Sequence, residues 1–95
     1  MTNDKINLYN RYGDKVWLEH QEDNEWLLKI GDDKSSAYCS VNYNVEEDGT
    51  RTIVSVDPSG GPYICIGFVV NNKTVTKIKH VKNKGFVVTL EDLHK

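Results

Sequence analysis

The sequence predicts an all-β fold. It is one domain over 1–95, with about eight short antiparallel strands in meander order forming a small barrel or sandwich. Three observations predict this. No segment keeps apolar residues at i, i+3, i+4 and i+7 over three turns, so amphipathic helices are not expected. Alternating apolar and polar runs are broken by Gly, Asn and Asp at intervals of roughly 8–12 residues, the spacing of sandwiches and barrels. The turns between these runs, given the loop lengths their residues favour, collect apolar side chains on one face.

Strands are expected over roughly 5–10, 14–20, 25–31, 37–46, 50–57, 63–70, 74–82 and 86–91. A three-residue loop, Arg11-Tyr12-Gly13, puts glycine at the left-handed position and pairs Leu8 with Val16 and Ile6 with Leu18. A slip of one residue would set Ile6 against Glu19 and mix the faces. The next turn, with Asn24 left-handed, pairs Val16 with Ile30, Leu18 with Leu28 and His20 with Trp26. A loop over Asp33–Ser36 then sets Ile30 opposite Cys39 and Leu28 opposite Val41.

Asp48-Gly49 is the strongest hairpin dipeptide in the chain. It pairs Tyr43 with Val54, Val41 with Val56 and Glu46 with Arg51. A loop over 71–73 pairs Ile66 with Ile78, and a loop over 83–85, with Gly85 left-handed, pairs Ile78 with Leu90 and His80 with Val88. The core face then holds Ile6, Leu8, Val16, Leu18, Trp26, Leu28, Ile30, Cys39, Val41, Tyr43, Val54, Val56, Ile64, Ile66, Phe68, Ile78, Phe86, Val88 and Leu90. The tail over 91–95 is expected to add a short helical turn.

The second face is less polar than a solvated surface. Trp17, Leu27, Cys65, Val69, Val75, Val81 and Val87 fall on it. Trp17, Leu27, Val69, Val75, Val81 and Val87 are therefore candidates for a partner interface, most simply a homodimer. The alternative is that this face is covered within one chain.

Composition narrows the function. No apolar run approaches the ~20 residues of a membrane span. The N-terminus lacks the basic and apolar regions of a signal peptide, so a cytoplasmic protein is expected. Cys39 and Cys65 form no CxxC and, with the histidines, match no zinc spacing. Free thiols, no metal and no cofactor are expected. Residues 1–70 carry 12 acids and 6 bases, whereas residues 71–95 carry 6 bases and 2 acids. Lys73, Lys77, Lys79, Lys82 and Lys84 form a basic hairpin in an otherwise acidic chain. The preference for lysine over arginine, with frequent asparagine, fits an AT-rich genome such as that of a phage.

Residues 57–62, DPSGGP, have two readings. Asp57-Pro58-Ser59-Gly60 places Asp, Pro and Gly where a type I turn wants them. The backbone N–H groups of Ser59, Gly60 and Gly61 could also form a concave nest for an anion. Pairing Ile66 with Ile78 would bring His80, Lys82 and Lys84 beside that nest. The stretch has neither P-loop nor GxGxxG spacing. Residues 56–67, VDPSGGPYICIG, resemble the Asp-Pro-Ser-Gly-Gly-Pro stretch that recurs in small uncharacterised bacterial and phage proteins. The resemblance implies a stand-alone accessory protein and carries no known activity or functional residue.

Catalysis is not expected. Ser59 or Cys65 as a nucleophile would need a positioned base, and His80 has nothing in sequence to orient it. The expectation is a small non-enzymatic binding protein, an accessory or inhibitor-type protein that meets a protein partner. The alternative is a binder of a phosphate-bearing ligand or nucleic acid, using the 57–62 loop and the 73–84 lysine hairpin. That alternative lacks the exposed aromatics that single-strand binders stack on bases.

Overall fold

The structure, a computed structural model, describes residues 4–9, 15–30, 39–58 and 62–93. The described residues form an all-β domain of nine strands and contain no helix. In chain order these are β1 (Lys5–Tyr9), β2 (Lys15–Glu22), β3 (Glu25–Ile30), β4 (Cys39–Val45), β5 (Arg51–Pro58), β6 (Ile64–Cys65), β7 (Val69–Val70), β8 (Lys73–Val81) and β9 (Gly85–Asp92). Six strands make one sheet in the order β1-β2-β3-β9-β8-β7, and β4-β5-β6 make a second. Every pairing is antiparallel. No helix among the described residues is long and apolar enough to cross a membrane.

The first hairpins have the expected registers. Leu8 pairs with Val16 and Ile6 with Leu18. Val16 pairs with Ile30, Leu18 with Leu28 and His20 with Trp26. The His20 ring meets the Trp26 indole edge-on at 5.1 Å, and its Nε2 lies 2.9 Å from the Asp23 carbonyl. The left-handed residue is Asp23, φ 50°, rather than Asn24. The difference arises from a bulge at Gln21, which lets Glu22 pair directly with Glu25 and shortens the loop to two residues.

The expected β3–β4 hairpin does not form. Ile30 is not opposite Cys39, nor Leu28 opposite Val41. The free edge of β3 pairs with β9, setting Trp26 against Val88 and Leu27 against Val87. The Leu90 N–H extends this seam to the Asn24 carbonyl at 2.9 Å. One strand edge accepts one partner, and this one gives apolar cross-strand pairs on both faces. The connecting loop, Asp33–Ser36, lies outside the described residues, as does Gly13.

Two bulges reset which side chains face inward. On β5, Asn42 pairs with Ser55 but Tyr43 pairs with Ile53, leaving Val54 as the extra residue. On β8, Val75 pairs with Leu90 but Lys77 pairs with Thr89, leaving Thr76 as the extra residue. An extra residue inverts the inward–outward alternation. Ile53 therefore packs against the core that Val56 belongs to, and Val75 joins Ile78 in it. The pairs Tyr43–Val54 and Glu46–Arg51 become Tyr43–Ile53 and Val45–Arg51, while Val41–Val56 holds as expected.

The hairpin at Asp48-Gly49 forms, with Gly49 at φ 90°. The Glu46 N–H donates to Thr50 O at 2.7 Å, and the Thr50 N–H donates to Asp48 Oδ1 at 2.9 Å. Side-chain and backbone hydrogen bonds from Thr50 hold the Asp48 carboxyl below the ordinary aspartate value.

The expected strand over 63–70 is broken in two. Phe68 N–H donates to Cys65 O at 2.9 Å, with Gly67 at φ 94°, the geometry of a turn that needs glycine at its third position. Ile66 therefore does not pair with Ile78. Its N–H donates to Val54 O, and 45% of its surface is exposed. The following loop is a two-residue one, Asn71-Asn72, with φ 50° and 63°, joining Val70 to Lys73. Both positions require positive φ, which asparagine tolerates. The last hairpin pairs His80 with Phe86 and Ile78 with Val88, two residues away from the expected register.

The core lies between the two sheets. It comprises Ile6, Val16, Leu18, Trp26, Leu28, Val56, Ile64, Val75, Ile78, Val88 and Leu90. Tyr43, expected in the core, is 44% exposed, with its ring under the Arg51 guanidinium.

Candidate functional site: a cleft between two strand edges

Beyond the core the two sheets diverge and leave a cleft of about 860 Å³. One wall is β4 and β5, the other is β8 with Phe86 of β9, and the exposed Ile66 completes the lining. The way each strand lines the cleft is informative. β4 contributes Val41 and Tyr43, alternate residues, as a strand seen from its face must. β5 contributes all of Arg51–Val54, and β8 all of Thr76–His80. A strand contributes every residue only when seen edge-on.

Among the described residues both edges lack a strand partner here. β5 pairs with β6 at Ser55 and Val56, and the carbonyl of the bulged Val54 accepts the Ile66 N–H at 3.1 Å. Among the described residues, no strand pairs with Arg51–Ile53 on that side. β7 pairs with β8 only at Lys73 and Thr74, and Val75 is held at both its N–H and C=O by Phe68 and Gly67. Beyond the bulge at Thr76, no described strand takes this edge of residues 76–81. Each bulge therefore marks the point where pairing stops and the cleft begins.

The floor is apolar and the rim is cationic. Ile53, Ile78 and Phe86 sit beside Tyr43, whose ring lies under the Arg51 guanidinium at 5.1 Å. Arg51 Nη1 also donates to the Tyr43 hydroxyl at 3.3 Å. Those contacts hold Tyr43 at the mouth and explain its exposure. His80 packs on Phe86, with ring centroids 5.0 Å apart. Arg51, Lys77, Lys79 and His80 line the cleft, and among the described residues no Asp or Glu does. Lys79 Nζ reaches across the outer face to Glu25 Oε2 at 3.2 Å.

Of the candidate anion-site residues, His80, Lys82 and Lys84 fall among the described residues. Ser59, Gly60 and Gly61 lie outside the described residues. His80 lies on the same side of β8 as Ile78, as expected, but beyond the core it is exposed at the cleft. Lys82 and Lys84 are exposed in the turn before β9 and do not line the cleft. The register that brought these residues beside the glycines is not formed, because Ile64 pairs with Val56 and not with a residue of β8.

Three of the six interface residues are covered within the chain. Leu27 is 8% exposed and Val87 2%, paired across the β3–β9 seam. Val75 is 1% exposed because the Thr76 bulge turns it inward. The Trp17 ring lies under Lys5 Nζ at 4.6 Å and its Nε1 donates to Glu19 Oε2 at 2.9 Å. Val81 is half-buried, and Val69 remains open at 54%.

Sequence reasoning missed the cleft. Arg51, Thr76, Lys77 and Phe86 come together only through the two bulges and the sheet crossover. Gly67 inside an apolar run was the available signal, since an isolated glycine in a strand pattern marks a bulge or close turn. Cys65 is a half-buried free thiol, and the described residues contain no group of His, Cys, Asp and Glu able to hold a metal ion. Comparison with protein-family models, curated proteins and solved structures returned no match.

Proposed function

We propose that this chain is a small protein-binding domain, acting by binding rather than catalysis, and that its partner enters the cleft between β5 and β8. The observation that carries the reading is the open seam: two strand edges without a partner among the described residues face one space, with an apolar floor and exposed Tyr43 and Ile66 at its margins. Exposed strand edges are surfaces that proteins ordinarily cover, because they template pairing with another chain. An apolar cleft with a few polar groups on its rim is the usual form of a binding site. Self-association through the second face draws less support, since Leu27, Val75 and Val87 are already buried.

Selection of a random dodecapeptide library on the purified chain tests the reading. Enriched peptides that lose binding at least tenfold to Ile66→Asp support it. No enrichment, or enriched peptides that bind Ile66→Asp equally well, overturns it. Tighter binding of oligothymidine or inorganic phosphate than of any peptide would favour the anionic-ligand alternative.

A further inference from the structure

The cleft as a protein site leaves open what enters it, and the alternation of β8 answers that. Past the Thr76 bulge, Ile78 faces the core and His80 follows on the same side, its ring tilted against Phe86. Lys77 and Lys79 project from the opposite side, where Lys79 meets Glu25. A strand laid against this edge would have its own side chains alternate in step. Its residues on the inner side would lie over Ile78 and the His80–Phe86 pair. Those on the outer side would lie beside two lysines. Resting on the cleft reading above, we propose that the occupant is an extended segment of a partner protein, alternating apolar and acidic residues, that adds as a strand to β8 at residues 76–81.

Three features converge on this occupant. The unpaired edge is six residues long, about 20 Å at a strand's rise, which matches a typical strand. The backbone groups of alternate residues along it point into the cleft without a ladder partner among the described residues, and strand addition is the binding mode that satisfies them. Among the described residues the cleft is lined by Arg51, Lys77, His80 and Lys79, the last already paired with Glu25, and by no carboxylate. Opposite-charge pairs directly across a strand pair are favourable and like-charge pairs are not, so acidic side chains fit the outer row and basic ones do not. A nucleic acid would use the cations but not the free backbone edge.

Amide hydrogen exchange on the isotope-labelled chain, resolved by NMR, tests the inference with defined hexapeptides. In the free chain, amides of residues 76–81 that point into the cleft should exchange fast. A blocked peptide alternating Glu and Val should slow them at least tenfold. The same peptide with alternate backbone amides N-methylated should not, because it keeps every side chain and loses the ladder. A Lys–Val peptide should not bind the wild type but should bind the double variant Lys77→Glu, Lys79→Glu, which loses the Glu–Val peptide. These lysine positions are exposed, so the variant's unchanged spectrum elsewhere certifies its fold.

Several results would overturn the proposal. Full protection of these amides in the free chain means the edge is already covered by this chain itself. Equal protection by the N-methylated peptide means binding without strand addition. Equal protection by oligothymidine means a nucleic-acid surface. If library peptides require Ile66 yet N-methylation leaves their affinity unchanged, strand addition fails while the cleft reading stands. If no peptide requires Ile66, both fall.

Discussion

Val75 and Ile78 lie three residues apart on one strand and yet face the same core. Regular alternation forbids this, and the extra residue Thr76 makes it possible. Deleting Thr76 should leave Val75 and Ile78 two positions apart on a regular strand, both still facing the core. Exposing a buried aliphatic side chain costs about 1.5–3 kcal/mol. Urea denaturation of the deletion variant should register a smaller loss than that. A loss of that size or more would mean Thr76 is not the extra residue that sets the face.

Leu27 and Val87 face each other across the β3–β9 seam, both buried. If one chain covers them, Leu27→Ala should lower stability by about 2–5 kcal/mol, as truncation of a buried leucine does. Light scattering should find the wild type and the variant in the same oligomeric state. A mass change on mutation would instead return Leu27 to an interface.

Asn71 and Asn72 both occupy positive φ. Asn72→Val should cost about 1–2 kcal/mol, since a β-branched side chain clashes with the backbone in that region. Asn72→Gly should be neutral or stabilising. Thermal unfolding of the two variants side by side checks the sign, and equal effects would rule out the two-residue turn.

Asp48 contributes to stability in a defined pH window. Hydrogen bonds from Thr50 favour its ionised form and depress its folded value. The contribution is therefore present above the unfolded aspartate value of about 3.9 and is lost as pH falls through the lower folded value. An NMR titration of the Asp48 carboxyl carbon should give a midpoint below that of an unstructured peptide with the same local sequence. Thr50→Val should raise it towards the peptide value, because the hydroxyl bond is gone. An unchanged midpoint would count against the hydrogen-bonded turn.

The fold was legible where its causes are local. The registers of β1–β2 and β2–β3 follow from clean alternation in Ile6, Leu8, Val16, Leu18 and Leu28, bounded by short polar turns. The strand class and most of the core follow from the same alternation. Three kinds of information were out of reach. The β3–β9 seam joins residues 60 to 64 positions apart, and nothing local distinguishes β9 from β4 as the partner of Leu28's strand. The bulges at Val54 and Thr76 are parity changes, and neither residue type announces one. The break at Gly67 did announce itself, but the apolar residues on either side, Ile66 and Phe68, read as a continuous strand. The cleft depends on all three, so it could not emerge from pattern alone. The lysines that rim it were visible as a cluster, while their arrangement along a free edge was not.

The turn from Cys65 to Phe68 carries a mechanical consequence. Ile66 and Gly67 are sequence neighbours, yet the first donates its N–H to Val54 in the small sheet and the second to Val75 in the large one. Two adjacent amides therefore tie the small sheet to the large one. A ligand that forces the sheets apart should speed hydrogen exchange at both amides, and one that leaves the spacing unchanged should not.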